Sequence, residues 1–500
     1  MKKITFVVRR ICLILSFLTL LGSCQIEQNS EIRFGLASMP SNLDPRFATD
    51  AASIRIGRLM YQQLVDFNQS KQVIPSIAHW QQLNATHYRF TLNNSRSLFH
   101  NGKSLTSEDV KATYDFILEE KNASPHRTIL AVIKDIVIIN DTTFDFILSH
   151  PDPLFPAYLV VGIVPKSHIE KHHPFNKYPM GSGPFQFISV KNSLDLSLQR
   201  RADNQVLRFI HVPNPVVRAL KLMRGEIDMT QNDIMPELVN FLSEESDLSV
   251  EKSPGSNFSY LGFNFNDPIL KIPQIRRSIS YGIDRQAIIQ YVLQNTARPA
   301  QSILPPEHWA GNKTLRSFQH NPAKAKKLLA EHGYSTEKPL QLSFKTSSDP
   351  FRIRIATVYQ DQLAKIGIDL KISSYDWGTF YGDIKAGRFQ LYSLAWVGIN
   401  SPDIFRYTMH SDSIPPHGAN RGKFIDKTVD ELIEKAESLN DLTQQAQVYK
   451  KLQGVLLDKL PYVPLWYEDH VLIKRNYIKN YTLSSNGNYD GLINTSIQTL

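Results

Sequence analysis

Cysteine is almost missing from this 500-residue chain: there are two, Cys12 and Cys24. Cys12 lies inside an N-terminal apolar leader, so the mature chain keeps one cysteine at most and no intramolecular disulfide can form. The fold must rest on packing. Long apolar runs are also missing. The leader's run, 11–21, has about 11 residues, against roughly 20 for a spanning helix. No long run of one charge occurs. The net charge is +9, and four of the positives (Lys2, Lys3, Arg9, Arg10) sit in the leader, leaving about +5 on the rest. Nucleic-acid binding is therefore not inferred. Catalytic signatures are absent too. There is no G-x-S-x-G, no H-E-x-x-H and no usable cysteine nucleophile. Gly181-Ser182-Gly183-Pro184 is no phosphate loop, because the Lys-Ser/Thr is missing and Pro184 removes a backbone donor. The chain reads as a non-enzyme, with a secreted hydrolase as a remote alternative, and no cofactor is implied.

What is present begins with residues 1–24, which read as a secretory signal: a basic start, a short apolar core and small residues before a cysteine. Leu21-Gly22-Ser23-Cys24 looks like a bacterial lipobox, and Cys24 would carry the lipid that anchors the protein to a membrane. Each buried methylene is worth ~0.8 kcal/mol, so two or more chains hold stably. The expected location is the cell envelope, on its periplasmic or extracytoplasmic side. Beyond the leader, 42% hydrophobic and 21% charged residues are those of a soluble globular protein, and the length calls for two or three domains.

The chain is organised around residues 254–291. A strand puts Leu261, Phe263 and Phe265 on one face and Tyr260, Gly262 and Asn264 on the other. Asp267-Pro268 stops it, a helix follows Pro273, and Asp284 caps another. Upstream, Val73-Ile74-Pro75 through Trp80, then Phe99-His100-Asn101-Gly102 and Thr106-Ser107-Glu108-Asp109-Val110, give an Asn-Gly hairpin followed by a capped helix. Residues 131–148 read as two strands around Asn140-Asp141. Downstream, Asn321-Pro322 opens a helix that Gly333 ends, and residues 353–366, 426–439 and 443–458 read as further helices.

These phrases, in this order, resemble the family 5 extracellular solute-binding proteins, the peptide- and nickel-type receptors of ABC importers. The matching pieces are the 73–118 block, the turn Gly181–Phe185, Arg218–Asp228, the strand and R-R-S-I-S-Y-G-I-D-R run to Arg285, the 321–334 helix and Leu460–Leu465. The resemblance implies an α/β fold of the two-lobed periplasmic-binding-protein type II kind, with an extra subdomain on the first lobe and a two-strand hinge. The expected division is 1–24 signal, 25–61 lobe I, 62–177 extra subdomain, 178–260 lobe I, 261–470 lobe II and 471–500 returning to lobe I. The expected partners are a peptide or small solute, and separate permease and ATPase chains. The receptor itself is expected to be a monomer.

The resemblance also points to a ligand site. Trp377 and Trp396 keep the 19-residue spacing of two tryptophans that border the cleft in peptide-binding members. Aromatic walls offer apolar area without selecting a side chain. Tyr61, Tyr260, Asn264 and Asp403 complete the candidate set. Peptide binders typically read W-x-x-D, whose aspartate holds the ligand ammonium, but here Ile399 stands in its place. Isoleucine cannot supply a carboxylate. Asp403 could substitute, or could cap the next helix. The arginine that holds the carboxylate in dipeptide receptors aligns with Thr346, with Arg352 and Arg354 nearby. An oligopeptide therefore fits better than a dipeptide. The alternative is nickel or another non-peptide solute, with His410 and His417 as the histidines available in a nearby loop.

Overall fold

The structure, a computed structural model, describes residues 31–93, 97–192, 194–316, 318–415 and 418–498. The leader, Cys24 and His417 lie outside the described residues.

Two long antiparallel strands, Leu248–Phe263 and Tyr462–Arg475, run from one lobe into the other and hold the molecule together. They lie at the centre of one mixed sheet. On one side come Leu391–Trp396, Leu340–Ser347 and Ile368–Tyr375; on the other come Met229–Gln231, Glu31–Leu36, Val206–His211, Asp195–Arg200 and Phe185–Lys191. The short strand Ala297–Pro299 adds to Tyr462–Arg475. Leu248 to Ser253 pair with Arg475 to His470, and the register then slips before Asn257 meets Glu468. The slip falls on Pro254-Gly255. Gly255 lies so close to the Glu468 carbonyl that a Cβ has no room. Before the slip the pair adjoins lobe I strands; after it, Phe258–Phe263 pairs with Leu391–Trp396 of lobe II. The change of lobe thus comes several residues earlier than 261, because a single strand serves both lobes and the bulge separates its two halves.

Each lobe has its own core. In lobe I, Ile32, Phe34, Leu196, Leu198 and Phe209 pack with the helix Ala51–Met60, which Asp50 caps by accepting from the Ser53 N–H. In lobe II, Leu261 and Phe263 face the helices Pro273–Gly282, Pro322–Ala330 and Pro350–Ala364, while Phe258 and Tyr260, on the other face, pack toward Lys427–Glu437 and Leu442–Lys459. Both faces are covered, so the strand lacks a polar side.

The extra subdomain is a four-stranded antiparallel sheet ordered Ala78–Asn84, His87–Leu92, Thr143–Leu148 and Ile133–Asn140, covered by Ser107–Leu118. The expected capping box is formed, with the Thr106 N–H donating to Asp109 at 2.9 Å. Its core draws on residues 64–163, whereas Val164 and Phe175 pack into lobe I. The segment after 163 therefore departs from the expected 62–177 division. Gly181 and Gly183 pass directly over the backbone of Leu59 and Met60, where a Cβ would collide. That close approach is the physical reason for the Gly-Ser-Gly-Pro turn.

Candidate functional site

A cleft of about 790 Å3 lies between the lobes. One wall comes from the helix Ala51–Met60 and from the extra subdomain. The facing wall is the loop 396–404 that follows strand Leu391–Trp396, and Ser256 and Asn257 of the crossover bulge form part of the lining. The volume falls in the range of small-molecule sites, ~300–1,000 Å3.

Trp396 lines this cleft. Tyr260 stands behind it, 4% exposed, with the rings parallel to within 7° at 6.4 Å. Arg421 fixes the pair: its guanidinium lies 4.6 Å from the Trp396 ring and donates to the Tyr260 hydroxyl at 3.0 Å and the Tyr381 hydroxyl at 3.1 Å. Tyr260 thus supports the wall and does not line the main cleft. Tyr61 does line it, as a buried residue against Gly162 and Gly181. Burial raises its phenol pKa well above the ordinary value.

Asp403 also lines the cleft, beside Ser401 and Ile404. It sits at the start of helix Ile404–Met409 but makes no side-chain cap bond. Desolvation raises its pKa against the opposing hydrogen bonds from Ser401 and the Ile404 N–H, and the nearby charges of Asp152 and Glu437 add to the rise. Ile399 is buried in the same wall.

Two expected site residues are placed elsewhere. Trp377 does not line the cleft. It begins the helix Trp377–Ala386, is 58% exposed and stacks on Tyr381 at 5.4 Å. The 19-residue spacing therefore does not bring both tryptophans into the described cleft. Asn264 does not line it either. Its amide donates to the carbonyls of Gly387 at 3.1 Å and Phe389 at 2.7 Å and accepts from the Asn266 N–H at 3.0 Å. It fastens a turn. Thr346 is buried in strand Leu340–Ser347, Arg354 pairs with Glu237, and Arg352 approaches Glu468 at 3.8 Å. None of the three lines the cleft.

Sequence reasoning missed the cationic side. Arg55, Arg58 and Lys71 all line the cleft. Arg58 is neutralised by Asp66 at 2.7 Å and Asp490 at 2.9 Å. Lys71, on the hairpin turn between Val65–Phe67 and Val73–Pro75, is 5% exposed, and burial pushes its pKa down to about 8, against a smaller upward pull from Asp66. Its setting in the polar run Asn68-Gln69-Ser70-Lys71-Gln72 looks like any solvated turn, so no local signal marks it.

His410 is buried. Its Nδ1 accepts from the Asp412 N–H at 3.1 Å and its Nε2 faces Glu434 at 3.3 Å. Among the described residues, no group of three or more His, Cys, Asp or Glu is placed to hold a metal ion.

A two-lobed α/β molecule with a solute-sized cleft between its lobes defines a class, and comparison with known proteins gives the family. Residues 72–414 match the model of the bacterial extracellular solute-binding proteins, family 5. The chain belongs to this family, whose members are receptors and not enzymes. It is 24% identical over 497 residues to the dipeptide-binding protein of Escherichia coli (strain K12), covering 90% of this chain and 91% of that one. Among solved structures it is similar to the ABC transporter substrate-binding protein CtaP from Listeria monocytogenes, with 25% identity, a TM-score of 0.84 and coverage of 94% and 99%. It is also similar to NikZ from Campylobacter jejuni in complex with Ni(L-His), with 22% identity, a TM-score of 0.77 and the same coverage.

Proposed function

We propose that this protein captures peptides in the interlobe cleft and delivers them to the permease of an ABC importer, whose membrane and ATPase subunits are separate chains. The carrying observation is the cleft itself, in which Trp396 offers a sequence-tolerant apolar wall and Asp403 a carboxylate. The kinship with a dipeptide-binding protein favours the same ligand chemistry. With Ile399 and Thr346 at the positions of the usual dipeptide clamp, an oligopeptide fits better than a dipeptide. In this reading Asp403 pairs with the ligand ammonium. The raised pKa follows from burial without a cation, and a bound ammonium would lower it. The receptor works as a monomer, held to the membrane through lipid on Cys24, on the extracytoplasmic side.

Native mass spectrometry of the mature protein as purified from its host tests this reading. The expected result is a ladder of adducts a few hundred daltons above the bare mass that fragment as peptides. Asp403→Asn should lose most of that ladder. A single non-peptide adduct, or a nickel adduct, would overturn the reading and name the solute class.

A further inference from the structure

Besides the aromatic wall, Asp403 and the paired Arg58, the cleft is lined by two cations, Lys71 and Arg55. Lys71 is nearly fully buried and lines the cleft, and among the described residues its ammonium has no hydrogen bond and no ion pair. Its nearest charge relation, Asp66, is already held by Arg58 at 2.7 Å. Arg55 lines the same cleft and has no carboxylate partner among the described residues; its guanidinium lies 5.7 Å from the Tyr489 ring. Both cations bear on His470, and Lys71 bears on His308. Burial holds these two histidines near pKa 4, so they add no positive charge at neutral pH. A buried ammonium without a counter-ion is costly unless something pairs with it.

The same hairpin also touches lobe II. The Ser70 carbonyl accepts the Trp309 N–H at 2.9 Å, and beside it His308 Nδ1 accepts from the Ala310 N–H while its Nε2–H donates to the Asn400 carbonyl at 3.2 Å. The turn that carries Lys71 is thus clasped by the lobe II segment that adjoins the 396–404 wall.

We propose that Lys71, with Arg55, binds the ligand's terminal carboxylate, and that the hairpin clasp at Ser70 and Trp309 shuts this ion pair inside the cleft when the lobes meet. The inference rests on the peptide reading above and deepens it. The ligand is a dipolar chain whose carboxylate faces the hairpin and whose ammonium faces Asp403. Lys71 selects for the free acid because an amide leaves the buried ammonium unpaired.

The test uses a defined equimolar library of tri- to pentapeptides as free acids, and the same library as C-terminal amides. Each is incubated with the mature protein and read by native mass spectrometry. Wild type should capture acids over amides by about tenfold or more, the discrimination one charge-assisted hydrogen bond supplies. Lys71→Met should erase that preference, and Lys71→Arg should keep most of it. Circular dichroism of both variants checks that they fold. Equal capture of acids and amides by wild type, or an unchanged ratio in folded Lys71→Met, overturns the inference while the peptide reading stands. Capture of neither library by wild type overturns both.

Discussion

Lys71 shows how one side chain can be destabilising and functional together. Its folded-state pKa of about 8 lies below the unfolded value of 10.5, so the unfolded chain binds more protons between pH 8 and 10.5. At pH 7 both states are protonated, and the desolvation penalty is fully present. It is relieved as pH rises through that window. Without peptide, Lys71→Met is therefore expected to raise stability at pH 7 by up to roughly 3 kcal/mol. The gain should shrink toward pH 10. Urea unfolding of wild type and variant at both pH values checks the sign and the trend. The neighbouring histidines, held near pKa 4, do not titrate in this window. With saturating free-acid peptide the order should reverse, since only wild type gains the ion pair.

At the scale of elements, the R-R-S-I-S-Y run has a mechanical explanation. Arg276 is buried, and its guanidinium donates to the carbonyls of Leu270, Lys271 and Lys459 at 2.8 Å and of Leu460 at 3.0 Å. It stands over the Phe265 ring at 4.5 Å. The carbonyls of Lys459 and Leu460 close the helix Leu442–Lys459, so this arginine serves as the cap that a helix C-terminus needs and ties it to the helix Pro273–Gly282. Arg276→Met should strand four carbonyls and lower stability by about 3 kcal/mol or more. Arg276→Lys should recover little, because three donors on a point charge cannot reproduce the planar fork. Chemical denaturation of both variants tests this, with peptide capture by any folded fraction unchanged. The turn glycines belong to the same scale: Gly181 and Gly183 are fixed by the backbone of Leu59 and Met60 beneath them.

At the scale of the whole molecule, two long strands, with a register slip at Pro254-Gly255 between their lobe I and lobe II halves, join the lobes. Ligand can shift an equilibrium between open and closed arrangements only by binding them unequally. The interlobe cleft and the Ser70–Trp309 bond supply contacts made across the two lobes. No helix among the described residues is long and apolar enough to cross a membrane; the proposed attachment is the lipid on Cys24. Cys24→Ala should move the protein from the membrane fraction to the soluble fraction without altering peptide capture. Fractionation followed by native mass spectrometry of the released protein checks both halves of that expectation.

Local rules carried much of this protein. The capping residues Asp284 and Asn321 each bond the helix they begin, and the strand-and-helix pattern from 254 to 291 follows from periodicity and proline placement. The order of its short phrases identified the family, because each phrase serves a backbone need that recurs wherever the fold does. Of the expected site residues, Trp396, Asp403 and Tyr61 line the cleft. Trp377 starts a helix and stacks on Tyr381, and Asn264, just past the strand Leu248–Phe263, is bound into a turn, so neither lines the cleft. Lys71 is the reverse case. In sequence it is one lysine in a polar turn, and only the tertiary fold, in which Trp309 from some 240 residues later bonds the adjacent Ser70 carbonyl, leaves it buried. Desolvation comes from the neighbours that tertiary packing brings, so the charge of a residue is written in the sequence while its environment is decided by the fold.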